Sequence, residues 1–142
     1  MDSLETMGKV LQETRRVVDG MIDDQLGDDY KGAFAAASDA AFRTFSEPGV
    51  LQKVVVLPFG EMPAGTALDI AIFDVAIHTW DLAKGSGQST ELDPEVLDAA
   101  YSVARVMLTD EWRASGSFGS EVMVPDGAPV QDKLAGLAGR TP

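Results

Sequence analysis

The chain has 142 residues, of which 45% are hydrophobic and 24% charged, and these values predict one folded domain closed around a hydrophobic core. Eleven Lys and Arg against 23 Asp and Glu give a net charge of −12, which excludes nucleic acid and anionic membrane surfaces as expected partners. The sequence has no cysteine, so it excludes disulfides and thiolate chemistry by this chain and fits a cytoplasmic location.

The first two predicted elements are helices. Apolar residues recur at helical spacing over residues 3 to 26, and Gly27 is a suitable stop. Asp28 or Asp29 can cap a second helix, whose side rich in alanine and phenylalanine would allow close helix packing. This second helix is expected to end at the Ser-Glu-Pro-Gly sequence of residues 46 to 49.

The sequence in the middle of the chain predicts a short extended segment followed by a long helix. Residues 51 to 57 have the β-branched content of a strand, whereas residues 58 to 65 are typical of turns, so we expect no sheet. Residues 66 to 84 are predicted as a third helix. Because this helix is apolar nearly all round, we expect it at the centre of a bundle.

The last third of the chain predicts two more helices around an irregular segment. A fourth helix should begin with Asp93 as N-cap and Pro at the first helical position. Residues 109 to 129 are rich in Gly, Ser and Pro, with 121–125 extended, and a last helix covers 130–139. The predicted fold class is therefore all-α in the main, an up-and-down helical bundle forming a single domain.

The predicted third helix carries the candidate chemistry in the stretch 73-FDVAIHTWDLA-83. A step of four residues turns an α-helix by about 400° and a step of seven by about 700°, so Asp74, His78 and Asp81 share one face. Imidazole and carboxylate groups at this spacing suit zinc, nickel, iron or manganese. The pattern therefore offers a partial metal site.

The same residues also have an interpretation without metal. A carboxylate buried among apolar side chains costs about several kcal/mol unless it has a partner, and Asp74 is flanked by Phe73 and Val75. We expect Asp74 to be buried and to need such a partner. His78 is the nearest candidate, and a neutral Asp74–His78 pair would satisfy the carboxylate without an ion.

Several motifs occur together in an order that resembles a known family. They are 55-VVLPFGEMPA-64, 74-DVAIHTWDLAKGSGQ-88, Leu92-Asp-Pro-Glu95, 118-FGSEVMVP-125 and 132-DKLAGLAGR-140. Together they look like the DinB-like helical bundles. More narrowly, they resemble the metal-binding branch similar to the N-terminal domain of mycothiol-dependent maleylpyruvate isomerase. The resemblance runs through most of the chain from about Asp29 onward.

The resemblance implies a fold and a site. In that family one histidine of the second helix, together with an acidic residue and a histidine four apart on a later helix, holds a divalent metal. The later pair matches Asp74 and His78, which implies zinc or nickel there and an external thiol such as mycothiol as partner. Asp81, Trp80 and Glu61 are the residues expected to support the ligands or to line the adjoining pocket.

One departure from the family pattern concerns the missing ligand. The segment 25-QLGDDYKG-32 passes directly between two predicted helices, so we expect the second bundle helix, which in the family carries the other histidine, to be deleted near 27–29. His78 is the only histidine of the chain. Acidic residues of the first predicted helix are the candidates to replace the lost ligand: Glu13, Asp19, Asp23 and Asp24.

The deletion also bears on association and function. A lost helix would uncover an apolar surface, so we expect a homodimer or higher oligomer, with a site that can form between chains. One hypothesis is a metal-dependent isomerase or thiol transferase. The alternative is a degenerate relative without metal, either a small-ligand binder with Trp80, Phe59 and Phe73 around an apolar cavity or a self-associating structural protein.

Overall fold

A computed structural model of the chain describes residues 27–142. The chain divides into two compact units, Met1–Pro48 and Gly49–Pro142. Across residues 27–142 there are five α-helices and one two-stranded sheet, which confirms the predicted, mainly all-α class. None of these helices combines the length and the apolar character needed to cross a bilayer. The helix predicted over residues 3 to 26 lies outside the described residues.

Helix α1 spans Tyr30–Ser46, and its start confirms the predicted cap. The Asp29 carboxylate accepts a hydrogen bond from the backbone N–H of Gly32 at 3.0 Å, which satisfies one of the free donors at the helix N-terminus. No side chain of α1 is buried, and Phe34 and Phe42 are 68% and 75% exposed. The aromatic side that was expected to pack closely is therefore open.

A β-hairpin follows α1, which corrects the expectation of an isolated extended segment. After a 3₁₀ turn at Val50–Gln52, β1 (Val54–Leu57) pairs antiparallel with β2 (Gly60–Pro63). Residues 60–63 were expected to be turns, but Gly60 has a φ of 139°, which a glycine adopts without strain and which lets the chain reverse there. The ladder is short and its second strand has no β-branched residue, so the sequence pattern does not reveal it.

The core of the second unit is built by α2 (Ala64–Gly85), α3 (Pro94–Met107) and α5 (Val130–Leu137). Asp93 caps α3 as predicted, accepting from the N–H of Glu95 at 2.9 Å. The three large side chains that are almost wholly buried are Phe73, Ile77 and Leu134. Burying a side chain of this size contributes roughly 1.5–3 kcal/mol, so these contacts fix how α2 and α5 pack.

Within the second unit helix α2 buries only one of its sides, whereas its apolar character had predicted a place at the centre of a bundle. Its buried residues are Ala64, Phe73, Ala76, Ile77 and Trp80. On the other side Val75 and Leu82 are 58% and 75% exposed. The apolar character all round α2 therefore does not reflect burial all round it.

The segment between α3 and α5 contains a short helix that the sequence pattern did not predict. Helix α4 covers Asp110–Ala114, and the Thr109 hydroxyl accepts from the N–H of Trp112 at 3.4 Å. Residues 121–125, expected to be extended, form no strand within the described part of the chain. Instead, the Val122 N–H donates to the Gly136 carbonyl at 2.9 Å, and a Cβ at Gly136 would collide with the Val122 carbonyl oxygen.

Candidate functional site

The structure brings together the three side chains that helical spacing had placed on one face of α2. Nε2 of His78 lies 3.5 Å from Oδ1 of Asp74, and Nδ1 of His78 lies 3.2 Å from Oδ2 of Asp81. The imidazole is therefore held between two carboxylates, one on each ring nitrogen. This arrangement follows directly from i, i+4 and i, i+3 neighbours on an α-helix.

The cluster is open to solvent, which overturns the expectation that Asp74 is buried. The side chains of His78 and Asp74 are 59% and 58% exposed, and Asp81 is 34% exposed. Phe73 and Ile77 point to the core while Asp74 points away from it. Because Asp74 is solvated, no desolvation cost forces it to pair with His78.

Asp81 has a second partner from a distant part of the chain, Arg140. Nε of Arg140 donates to Oδ1 of Asp81 at 3.1 Å and Nη2 donates to Oδ2 at 2.8 Å, which is a bidentate ion pair. The hydrogen bonds from Arg140 are the largest cause of the lowered pKa of Asp81; desolvation opposes this change, while the Arg140 charge and His78 reinforce it. Asp81 therefore remains an anion beside His78.

Arg140 is in turn held by the backbone at the end of α5. Gly139 has a φ of 82°, which ends the helix, and the N–H of Arg140 returns to the Ala135 carbonyl at 2.8 Å. The Arg113 guanidinium also donates to the Leu137 carbonyl at 2.7 Å. Backbone hydrogen bonds thus fix the chain at the end of α5, and from this fixed point the Arg140 side chain extends to α2.

The contact with Asp81 defines how the imidazole of His78 presents its other nitrogen. When Nδ1 carries the proton and donates to the Asp81 carboxylate, Nε2 presents a lone pair toward the carboxylate of Asp74. Two acceptors facing each other repel. A cation bound between Nε2 and the Asp74 carboxylate would remove this repulsion.

The gap between Nε2 of His78 and Oδ1 of Asp74 is too wide for a direct hydrogen bond. The 3.5 Å separation of Nε2 and Oδ1 exceeds the range of about 2.7–3.2 Å for an N–H···O bond. Zinc bonds of about 2.0–2.2 Å that meet at a tetrahedral angle separate two donor atoms by about 3.4 Å. The Nε2–Oδ1 separation matches this value, and it is also within the ordinary range for exposed i, i+4 neighbours on a helix.

The described part of the chain contains no complete metal-binding group. Among residues 27–142, no group of three or more His, Asp or Glu side chains is placed to hold a metal ion. The acidic residues considered as replacements for the missing histidine lie outside the described residues: Glu13, Asp19, Asp23 and Asp24. Asp74 and His78 alone are fewer donors than the four of a closed zinc site.

The other residues predicted near the site lie elsewhere. Trp80 and Phe73 are 4% and 1% exposed and belong to the core, so they do not form the wall of an apolar cavity beside His78. Phe59 packs edge-on against Trp112, with ring centroids 5.6 Å apart. Glu61 is exposed on β2, opposite Val56. The cluster therefore consists of Asp74, His78, Asp81 and Arg140.

Arg140 is the member of the cluster that sequence reasoning missed. It lies 59 residues from Asp81, and no local pattern joins the two. One signal existed, because Arg140 is one of only 11 basic residues in a chain of net charge −12 and directly follows the helix-ending Gly139. A cation at such a fixed point is well placed to pair with a carboxylate.

The comparisons with known proteins relate the chain to two uncharacterized proteins of Mycobacterium tuberculosis, named MT0763 and Rv0738. Each is 37% identical over 110 residues, which cover 77% of this chain and 60% of the relative. The chain thus spans about 60% of the length of the curated relatives that it matches. No family model and no solved structure matches the chain.

Proposed function

We propose that the chain is a DinB-like protein that binds one divalent ion, zinc or nickel, through Asp74 and His78. The observation that carries this proposal is the 3.5 Å spacing of Nε2 of His78 and Oδ1 of Asp74, which suits two ligands of one ion. The Asp81 carboxylate supports the proposal, since metal-binding imidazoles commonly donate their other N–H to such a group. The same contact keeps Nε2 free to bind.

The activity that we propose for this site is thiol-dependent isomerisation or thiol transfer, by resemblance to the mycothiol-dependent isomerases. A bound ion would supply Lewis acidity for a carbonyl group, or lower the pKa of an external thiol such as mycothiol. Asp74 and His78 would hold the ion, and Asp81 with Arg140 would orient the imidazole. We place the protein in the cytoplasm, where a chain without cysteine needs no oxidising conditions.

Metal binding is tested on untagged protein by titration calorimetry and elemental mass spectrometry with zinc and nickel. We expect wild type to bind an ion and the variants His78→Gln and Asp74→Asn to bind at least about tenfold more weakly, because each removes one ligand. Asp69→Asn makes the same chemical change at another exposed position of α2 and should bind as wild type does. Wild-type protein that binds neither metal would overturn the proposal.

A self-associating protein without metal is the second candidate, and the surface of α1 favours it. Tyr30, Phe34 and Phe42 are 60%, 68% and 75% exposed, which is unusual for aromatic side chains on one helix. In this alternative Asp74, His78 and Asp81 contact one another without an ion. Light scattering in the presence of a chelator distinguishes the two candidates, since association through α1 requires no metal.

A further inference from the structure

We propose that a second copy of the chain completes the metal site, so that Asp74 and His78 of two subunits hold one ion on a twofold axis. This inference rests on the proposed metal binding and adds that a second copy of the chain supplies the remaining ligands. It commits to one occupant for the exposed side of α2, a second α2 from an identical chain.

The number of ligands is the first argument. Asp74 and His78 supply two donor atoms, and within residues 27–142 no group of three His, Asp or Glu side chains is placed to hold an ion. A closed zinc site takes four ligands. A twofold axis repeats every residue near it, so a pair of subunits supplies two carboxylates and two imidazoles. One ion shared by two chains therefore has a complete set, whereas residues 27–142 of one chain supply only half of it.

The charge of the cluster is the second argument. Asp81 and Arg140 form an ion pair and cancel, and His78 must be neutral to bind a metal, so Asp74 alone contributes a net negative charge. Two copies then bring two negative charges to the axis, which one divalent cation neutralises. Without that cation, chains of net charge −12 would repel each other at this contact. The association is therefore expected to depend on metal.

The apolar side chains beside the ligands are the third argument. Val75 and Leu82 are 58% and 75% exposed, and seven residues turn a helix by about 700°, so both lie along one edge of the ligand face. Packed helices approach to about 8–10 Å, a distance at which such side chains contact their symmetry mates. Pairing two α2 helices would bury Val75 and Leu82 of each chain. The same pairing would bring Asp74 and His78 of the two chains together.

The test is sedimentation velocity of the untagged full chain, first with a chelator and then with added zinc, with the metal content of the isolated species measured. We expect zinc to double the 15.1 kDa mass of the monomer and to bind at one ion per two chains. His78→Gln should weaken the zinc-dependent dimer at least about tenfold, since it removes two of four ligands. Leu82→Lys, which leaves the ligands intact, should also weaken it.

Val106→Lys is the matched control, because Val106 is 80% exposed on α3 and away from the ligand face. It should dimerise with zinc as wild type does. One ion per single chain without a gain in mass would overturn the shared site and leave metal binding standing, with the remaining ligands found inside one chain. A dimer that resists the chelator and His78→Gln would also overturn it. No bound ion would overturn the proposed function itself.

Discussion

The two sides of α2 differ in how far their side chains are exposed to solvent. Phe73, Ile77 and Trp80 are at most 4% exposed and pack into the core, whereas Asp74 and His78 are almost 60% exposed. Since each residue turns the helix by about 100°, one step along the chain is enough to pass from one environment to the other. Substitutions on the buried side should therefore change stability, and those on the exposed side should change binding.

The largest effect is expected for Phe73→Ala on the buried side. Phe73 is 1% exposed and its ring centroid lies 5.8 Å from that of Phe118, so its loss leaves a cavity and should cost about 3–5 kcal/mol. Urea unfolding followed by circular dichroism measures the loss. Val75→Ala, a change at the half-exposed neighbour, should alter stability by no more than about 0.5–1 kcal/mol.

If the Phe73→Ala variant does not fold, it has no unfolding transition to measure. Phe73→Leu is therefore the companion variant. It keeps most of the buried surface and should cost less than the alanine variant. Equal unfolding midpoints for Phe73→Ala and Val75→Ala would show that the two sides of α2 do not differ as described.

A smaller loss of stability is expected for Arg140→Ala. Arg140 follows α5 and pairs with Asp81 on α2. The ion pair of Arg140 with Asp81 is partly exposed, so its loss should cost about 0.5–1 kcal/mol at neutral pH. The pKa of Asp81 is lowered from 3.8 in the folded protein, so this contribution is present above that pH. It is lost as the pH falls through the lowered value and the carboxylate becomes protonated.

Urea unfolding of Arg140→Ala and wild type between pH 7 and pH 2 measures this dependence, and the two curves should converge at the acid end. Arg105→Ala, at an exposed position of α3, is the control. Its free energy of unfolding should change with pH as that of wild type does. A constant difference between Arg140→Ala and wild type down to the lowest pH would contradict a role for the Asp81 charge.

The smallest effect on stability is expected for Asp74→Asn and His78→Gln in a chelator. Both side chains are exposed and neither fills the core, so each change should stay within about 0.5 kcal/mol of wild type. Thermal unfolding measures it. A loss of more than about 2 kcal/mol for either variant would mean that the pair supports the fold, and the separation of roles on α2 would no longer hold.

Those features of the structure that depend on neighbours along the chain could be predicted from the sequence. The caps of α1 and α3 at Asp29 and Asp93 are local hydrogen bonds, and both are confirmed. The shared face of Asp74, His78 and Asp81 follows from helix geometry alone. Each of these features is determined within a few residues.

Features that depend on distant contacts could not be predicted in this way. Val75 and Asp74 were expected to be buried because their helix is apolar, but burial depends on which elements pack against α2, and these lie far along the chain. Trp80 looked like a pocket residue and is part of the core for the same reason. The hairpin and α4 were missed because their signals are short, and a two-stranded ladder leaves little pattern in the sequence.

The contact between Asp81 and Arg140 has a consequence for the order of folding. Asp74 and His78 meet as soon as α2 forms, because they are four residues apart, whereas Asp81 receives its guanidinium only after a loop of 59 residues has closed. Local contacts form quickly and long loops close at an entropic cost, so the ion pair of Asp81 with Arg140 should form late. A nascent or partly unfolded chain with α2 formed would then bring Asp74, His78 and Asp81 together while Asp81 still lacks its guanidinium partner.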